Sequence, residues 1–217
     1  MHAAPPPDNV VTIDLLRHGE PEGGIRYRGT LDDPLSKIGW QQMNHSVNRA
    51  WSDGIRWDTV ISSPMQRCQA FAKHASEHWQ RPMVVQAGLR ELGFGDLEGL
   101  TPEQAWAQYP ELLENMWSDP QQHTPPNGES FTVFLQRVKN GLDHIINRYR
   151  NQHVLLVVHG GVIRAALTLL LNIAPKDTFQ IQIPFAGLSR IQVFSDNESE
   201  RHCSLTFLNR YTGDTEK

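Results

Sequence analysis

The sequence contains only two cysteines, Cys68 and Cys203, in 217 residues. A disulfide framework is therefore not expected, and a reducing compartment, the cytoplasm, is the simpler reading. No stretch reaches the roughly 18 consecutive apolar residues of a membrane helix. Charge of one sign is not in excess either. Twenty lysines and arginines stand against 24 aspartates and glutamates, a net charge of −4. That balance argues against nonspecific binding to nucleic acid or a membrane surface, and it still allows a local cationic pocket. Residues 1–9 are proline-rich, without the basic and apolar segments of a signal peptide, and read as a tail, as do residues 212–217. Internal repeats and long low-complexity segments are lacking.

What remains is a chain that is 39% hydrophobic and 20% charged, long enough to bury a core without staples. Val10 to Leu16 is an apolar, β-branched run interrupted only by Asp14, and reads as a buried strand ending at Arg17-His18-Gly19. Ser36 is placed to cap a helix running past Trp51. Trp57 to Ile61 reads as a second strand, ending at Ser62-Ser63-Pro64, and Met65 to Trp79 as the next helix. A short strand is expected at Met83 to Val85. Thr101-Pro102-Glu103-Gln104 is a capping box with proline at the first helical position, so a helical region should run to about Trp117. Phe131, Phe134, Val138, Leu142, Ile145 and Ile146 recur at helical spacing within Ser130 to Arg150. Val154 to Val158 is a purely apolar strand followed at once by His159-Gly160-Gly161, and Val162 to Leu171 is a helix. Ser189 to Phe194 and Leu205 to Leu208 are two late strands, with a hairpin turn around Asp196-Asn197-Glu198. Strands alternating with helices predict an α/β three-layer sandwich, a mostly parallel central sheet with helices on both faces, in one domain over residues 10–211.

In such sheets the ligand sits beyond the carboxyl ends of the strands. Three strands here end in polar or reactive residues: Arg17-His18, Ser62-Ser63 with Arg67 soon after, and His159. A neutral imidazole at a rigid strand tip can attack phosphorus, provided one ring nitrogen is free and the other is held as a donor. Arginines beside it disfavour the imidazolium form and bind phosphate oxygens in fork geometry. Arg17 and Arg67 are the candidates. His159 is a further donor, and Gly160-Gly161 lets backbone N–H groups approach a phosphate at a helix start. One Arg-His-Gly triplet carries little; the same device, an apolar strand followed by His-Gly, occurs twice. His74 and His78 have a metal-compatible spacing but no evident third ligand, and read as exposed helix residues. Cys68 reads as a core thiol.

These residues also resemble a known family. Leu16-Arg17-His18-Gly19-Glu20 is similar to the signature of the histidine phosphatase superfamily, in its phosphoglycerate-mutase-like branch. Gly29 to Gly39 (GTLDDPLSKIG), Ser62 to Arg67 (SSPMQR), Leu89-Arg90-Glu91 with Phe94 to Gly99, Asn127 to Ser130 and Val158 to Arg164 resemble its further blocks, in the family's order. The resemblance implies that His18 becomes phosphorylated and that Arg17, Arg67, His159 and Gly160 bind the phosphate. It makes Glu91 the general acid and then base, with Glu98 as the nearby competitor. It implies no metal and no other cofactor. One departure stands out: Pro21-Glu22-Gly23-Gly24 fills the stretch after the signature, and Gly24 stands where many members have asparagine. Backbone N–H groups, Arg26 or Arg28 are the available substitutes for that donor.

Three readings follow from the resemblance: a small-molecule phosphomonoesterase, a phosphoglycerate mutase, or a degenerate member that only binds. All five core residues are present, against the third reading, and the short segment between Glu91 and Asn127 favours hydrolysis over transfer. Arg28-Gly29-Thr30 to Leu35, Met116 to Pro120 and Thr124 to Phe131 are most similar to the α-ribazole phosphatase branch, which acts on α-ribazole 5′-phosphate or adenosylcobalamin 5′-phosphate in cobalamin synthesis. Arg28 and Thr30 are accordingly candidate substrate-binding residues. Trp106, Tyr109 or Trp117 would either stack on a flat base, as part of a lid over residues 100–127, or pack in the core. The expected partner is a small phosphate ester, not nucleic acid or membrane, and a homodimer is allowed.

Overall fold

The computed structural model describes residues 9–196 and 200–212. Six strands form one sheet: β1 (Val10–Arg17), β2 (Thr59–Ser62), β3 (Met83–Val85), β4 (His153–Val158), β5 (Leu188–Asp196) and β6 (Glu200–Arg210). Their order across the sheet is β3-β2-β4-β1-β5-β6. The first four are mutually parallel, and β5 and β6 are antiparallel additions on one side. The helices are α1 (Lys37–Ser52), α2 (Gln66–Trp79), α3 (Pro102–Gln108), α4 (Pro110–Ser118), α5 (Phe131–Arg148), α6 (Gly160–Leu171) and α7 (Pro175–Thr178).

The period of two along each strand divides the core between the sheet's two faces. Ile13, Leu15, Leu156 and Val158 pack with the apolar stripes of α5 and α6. Leu16, Val60, Leu155 and Val157 pack with Met43 and Val47 of α1 and with Phe71 and Ala72 of α2. Both faces of the parallel strands are covered, which is why their sequences are continuous apolar runs rather than alternating ones. Ser36 caps α1 through its side chain, as the sequence predicts, and Ser130, expected inside the helix, caps α5 in the same way.

Three elements depart from the sequence reading. The helical region after Thr101 is two helices, because Pro110 has no N–H to donate and disfavours helical geometry in Tyr109, which sits at φ −135°, ψ 49°. The helix expected from Val162 begins at Gly160, directly behind β4. The helix α7 was not anticipated, being a single turn too short to show periodicity. Of the expected hairpin turn, residues 197 and 198 lie outside the described residues, as do tail residues 1–8 and 213–217. Leu97, Ala105, Leu113 and Met116 form a separate small core under α3 and α4. Among the described residues no helix is long and apolar enough to cross a membrane.

Asp14 interrupts the apolar run of β1, and its environment accounts for it. It is fully buried opposite Arg190 of β5. Arg190 donates to both its oxygens, at 2.7 and 2.9 Å, the Trp57 indole N–H donates at 2.8 Å, and His153 Nε2 lies 2.9 Å away. Burial alone would raise the Asp14 carboxyl pKa, but the hydrogen bonds from Arg190 and His153 outweigh it and hold the pKa below its ordinary value. A depressed carboxyl pKa contributes stability that is present above the unfolded value and is lost as pH falls through the folded one. Asp14→Ala should therefore cost about 3–5 kcal/mol near neutral pH, by leaving the half-buried Arg190 and the buried Trp57 indole N–H without their partner. The gap from the parent should narrow below about pH 4. Denaturant melts of both proteins across that range check this; a pH-independent gap would contradict it.

Candidate active site

The registers of β1 with β4 and of β4 with β2 bring the three polar strand ends together. Arg17 pairs with Val158 and Ser62 with Val157, so His18, Ser63 and His159 emerge side by side. The His18 N–H extends the ladder by donating to the Val158 carbonyl at 2.9 Å. The two imidazole rings meet edge to face, with centroids 5.1 Å apart.

His18 is 6% exposed. Its Nδ1 lies 2.7 Å from the Gly19 carbonyl. That oxygen only accepts, so Nδ1 carries the proton and Nε2 keeps its lone pair in the neutral ring. Gly19 is required here because a Cβ would fall 2.2 Å from the Gly39 carbonyl at the start of α1. Burial, reinforced by the charges of Arg17 and Arg67, pushes the His18 pKa well below the ordinary value of about 6.5. The same causes, in the same order except that Arg67 and His18 precede Arg17, depress His159. His159 Nε2 is 2.6 Å from the Ser63 hydroxyl, and the Cys68 thiol lies behind the ring at 3.6 Å. Cys68 is itself fully buried, and burial pushes its thiol up to about 12, which makes it an inert packing group.

Arg67 is fully buried on the first turn of α2. One of its terminal nitrogens donates to the Leu31 carbonyl at 2.8 Å and lies 3.8 Å from Asp32. Its Nε and other terminal nitrogen have no hydrogen-bond partner within the protein. Arg17 donates to the Ile183 carbonyl and stacks over Phe185 at 4.1 Å, and its Nε is also unpartnered. Burial lowers the Arg17 pKa to about 10, with Glu91 opposing the shift and Arg164 and Arg67 adding to it. The charges of both guanidinium groups act on His18. Buried N–H groups are paired in the great majority of structures, so this cluster of unfilled donors fits an anionic ligand.

Glu91 is buried on the far side of the same site. Its carboxylate accepts from its neighbour Leu92 at 3.0 Å and from the Gly161 N–H at 3.1 Å, at the start of α6. A Cβ on Gly161 would fall 2.3 Å from the carboxylate, so only glycine lets helix and acid approach this closely. Gly160 precedes it and leaves room for Arg17 Nε at 3.5 Å from its would-be Cβ. The competitor Glu98 is engaged elsewhere. It accepts from the Thr30 hydroxyl and from the backbone N–H groups of Thr30, Leu31 and Phe94. Burial would raise its pKa, but these bonds prevail and lower it. Glu98 thus fastens the 28–33 loop, and the Thr30 side chain is committed to that clamp.

Arg28 is buried as well. It donates to Asp33, the Gly24 carbonyl and the Glu22 carbonyl, each at 2.6 Å. It braces the glycine-rich loop, and its charge reaches His18. Gly24 is exposed at φ +74°, with nothing within 4 Å of a would-be Cβ. Arg26 is exposed at the cavity rim.

Arg17, His18, Arg28, Glu91, Gly160 and Gly161 line a cavity of about 220 Å³, with Arg67 and His159 behind that lining. Its walls are mainly apolar and aromatic: Tyr27, Phe94, Met116, Trp117, Phe179 and Phe185. Of the three aromatics singled out in the sequence, only Trp117 lines it, edge-on to Phe179 at a centroid distance of 4.7 Å. Trp106 is 50% exposed, and Tyr109 packs in the small core under α3 and α4. Phe179 and Phe185 come from the irregular stretch after α6, where no periodicity marks them. Glu129, which lines the cavity and pairs with Arg137, was also missed. The only signal for it was its place within the Asn127–Ser130 block.

Two histidines, two arginines and a carboxylate at the strand ends of an α/β sheet define a class of anion-handling sites. Comparison gives the family: residues 13–205 match the model of the histidine phosphatase superfamily (branch 1), and the chain belongs to it. It is 36% identical over 188 residues to "Bifunctional protein Rv2228c" of Mycobacterium tuberculosis, covering 85% of this chain and 51% of that protein. The chain thus spans about half the length of that relative. A 2,3-bisphosphoglycerate-dependent phosphoglycerate mutase of Bartonella bacilliformis is 29% identical over 173 residues, 76% of this chain and 84% of the mutase. The crystal structure of the alpha-ribazole phosphatase from Shigella flexneri superposes with a TM-score of 0.75 at 24% identity, covering 95% of this chain and 100% of that one.

The buried histidines carry a pH prediction. Both should hold neutral-imidazole nitrogen shifts in NMR spectra from about pH 8 down to about pH 6. Because the unfolded chain takes up protons that the folded sites refuse, these residues should also withdraw stability as pH falls below about 6.5. A titration of either ring near its ordinary value would overturn the description of the site.

Proposed function

We propose that the chain is a phosphomonoesterase working through a phosphohistidine at His18. The observation that carries this reading is a neutral imidazole, with its lone pair on Nε2, set among buried guanidinium groups that have unfilled donors. Nε2 attacks phosphorus, and the P–O bond to the leaving group breaks. Arg17 and Arg67, with His159 and the start of α6, bind the phosphoryl oxygens and stabilise the charge that develops on them. Glu91, protonated in the first step, gives its proton to the departing oxygen. In the second step its carboxylate takes a proton from water, which attacks the phosphohistidine and releases inorganic phosphate. Every oxygen contact comes from the chain's own residues, and the scheme uses no metal.

The cavity walls support a substrate class. Six apolar or aromatic side chains above the floor suit a flat, largely apolar leaving group, and α-ribazole 5′-phosphate has one in its benzimidazole base. The structural likeness to the Shigella enzyme and the sequence blocks around Arg28 and Met116 agree with that choice. A phosphoglycerate, the mutase substrate, would leave this apolar wall without a partner.

Two outcomes test the proposal. Base-quenched turnover should yield acid-labile phosphate on the peptide bearing His18, and His18→Ala should abolish both the label and the activity; ordinary turnover by that variant would end the mechanism. On substrate, kcat/KM for α-ribazole 5′-phosphate should exceed that for 3-phosphoglycerate and for common nucleoside monophosphates. Trp117→Ala should reduce it about 2–10-fold, the worth of one aromatic contact. Preference for 3-phosphoglycerate would remove the substrate assignment and leave the His18 chemistry standing.

A further inference from the structure

We propose that Arg137 is a positioning residue for the proton-transfer step, acting through Glu91 in concert with Glu129; this rests on the role given to Glu91 above. Arg137 lies in the second turn of α5. Its Nε donates to Glu129 Oε1 at 2.7 Å. One terminal nitrogen donates to the carbonyls of Gly88 at 3.0 Å and Arg90 at 2.5 Å. The other donates to the Glu91 carbonyl at 2.8 Å and to Glu129 Oε2 at 2.6 Å. A guanidinium has five N–H donors, and all five are used here.

The acceptors are not scattered. Three are the backbone carbonyls that precede and include the acid's own residue. Glu129 closes the bracket from the other side, because Glu129 Oε2 accepts from the Gly93 N–H at 3.2 Å and the Glu129 N–H donates to the Gly93 carbonyl at 2.8 Å. Residues 90–93 are irregular backbone that follows a single 3-10 turn at Ala87–Leu89, without a sheet ladder to hold them. The Arg137–Glu129 pair supplies what a ladder would, and so fixes the point from which the Glu91 side chain reaches Gly161. A lysine in place of Arg137 keeps the charge but has three donors on one atom. It cannot span acceptors on four different residues.

A group that works through the acid has a distinctive kinetic signature. Esters of poor leaving groups need the proton, and those of good leaving groups do not. Arg137→Lys should lower kcat on an alkyl phosphate at least about tenfold more than on a nitrophenyl phosphate, a fraction of the roughly 10²–10⁴ that a general acid supplies. KM should change little. In the Glu91→Gln background the same substitution should add no further selective loss, because the route through Glu91 is already closed. Glu129→Gln, which leaves the three carbonyl bonds of Arg137, should show the same selectivity to a smaller degree, and it carries the test if Arg137→Lys fails to melt as a folded protein. Equal losses on the two esters, or an undiminished selective loss in the Glu91→Gln background, would overturn the proposal. Glu91→Gln alone losing equally on both esters would instead overturn the role of Glu91, which separates the two failures.

Discussion

Arg67 has no exposed surface and one close hydrogen bond to the protein, to the Leu31 carbonyl. Arg17 is half-buried, with its Nε out of water and the Ile183 carbonyl and the face of Phe185 as its company. Removing two cations from water with only one loose ion pair, Arg67 to Asp32 at 3.8 Å, is expensive, several kcal/mol for each ion after relaxation. Much of the surrounding structure is explained by that expense. The β1–β4 register holds the strand ends rigidly, the apolar faces above and below supply the offsetting burial, and Glu91 adds a buried negative charge near Arg17. Such a site is unstable as pure architecture. It becomes favourable when an anion with several acceptor oxygens occupies it.

The same positive field decides the state of the histidines. An imidazole beside a carboxylate would be drawn toward its charged form; beside two guanidinium groups and out of water it is driven neutral. The Gly19 carbonyl then selects the tautomer, and that carbonyl stands where it does because Gly19 and Gly39 allow two backbone segments to touch. Electrostatics sets the proton count, and the backbone sets its address. Neither alone would leave a lone pair on Nε2.

How much of this was legible in the sequence depends on whether a feature is local. The strand ending at His18, the capped helix at Ser36, the periodic helix from Ser130 and the second strand–His-Gly unit at His159 show in short windows, because element period and capping chemistry are short-range. The break at Tyr109–Pro110 was also local, but the capping box at Thr101 masked it. Asp14 stood out as an anomaly in an apolar run, yet its partners Trp57, His153 and Arg190 lie 43, 139 and 176 residues away, and no window joins them. The aromatic wall was only partly foreseen. Trp117 belonged to a helix and could be proposed, whereas Phe179 and Phe185 sit in irregular chain whose course depends on the packing of α6 and α7. Thr30 and Arg28 were proposed from resemblance alone. The structure gives both of them loop-fastening bonds, to Glu98 in one case and to Asp33 and two carbonyls in the other.

Arginines make the general point, because one residue type does two opposite jobs within a single site. Arg137 has five donors and five protein acceptors, and Arg190 grips Asp14 with two. These are braces: each partner lies in the protein. Arg67 is fully buried and Arg17 half-buried, yet both keep buried donors unfilled. Burial does not separate the two kinds, and neither does charge or the identity of neighbouring residues in the sequence. The donor count does, since a guanidinium whose hydrogen bonds are complete has nothing to offer a phosphate. A buried one left incomplete retains a cost that only an incoming anion relieves. By that criterion Arg17 and Arg67 are the buried donors left open beside His18. Arg28 and Arg137 instead keep the backbone where the chemistry needs it.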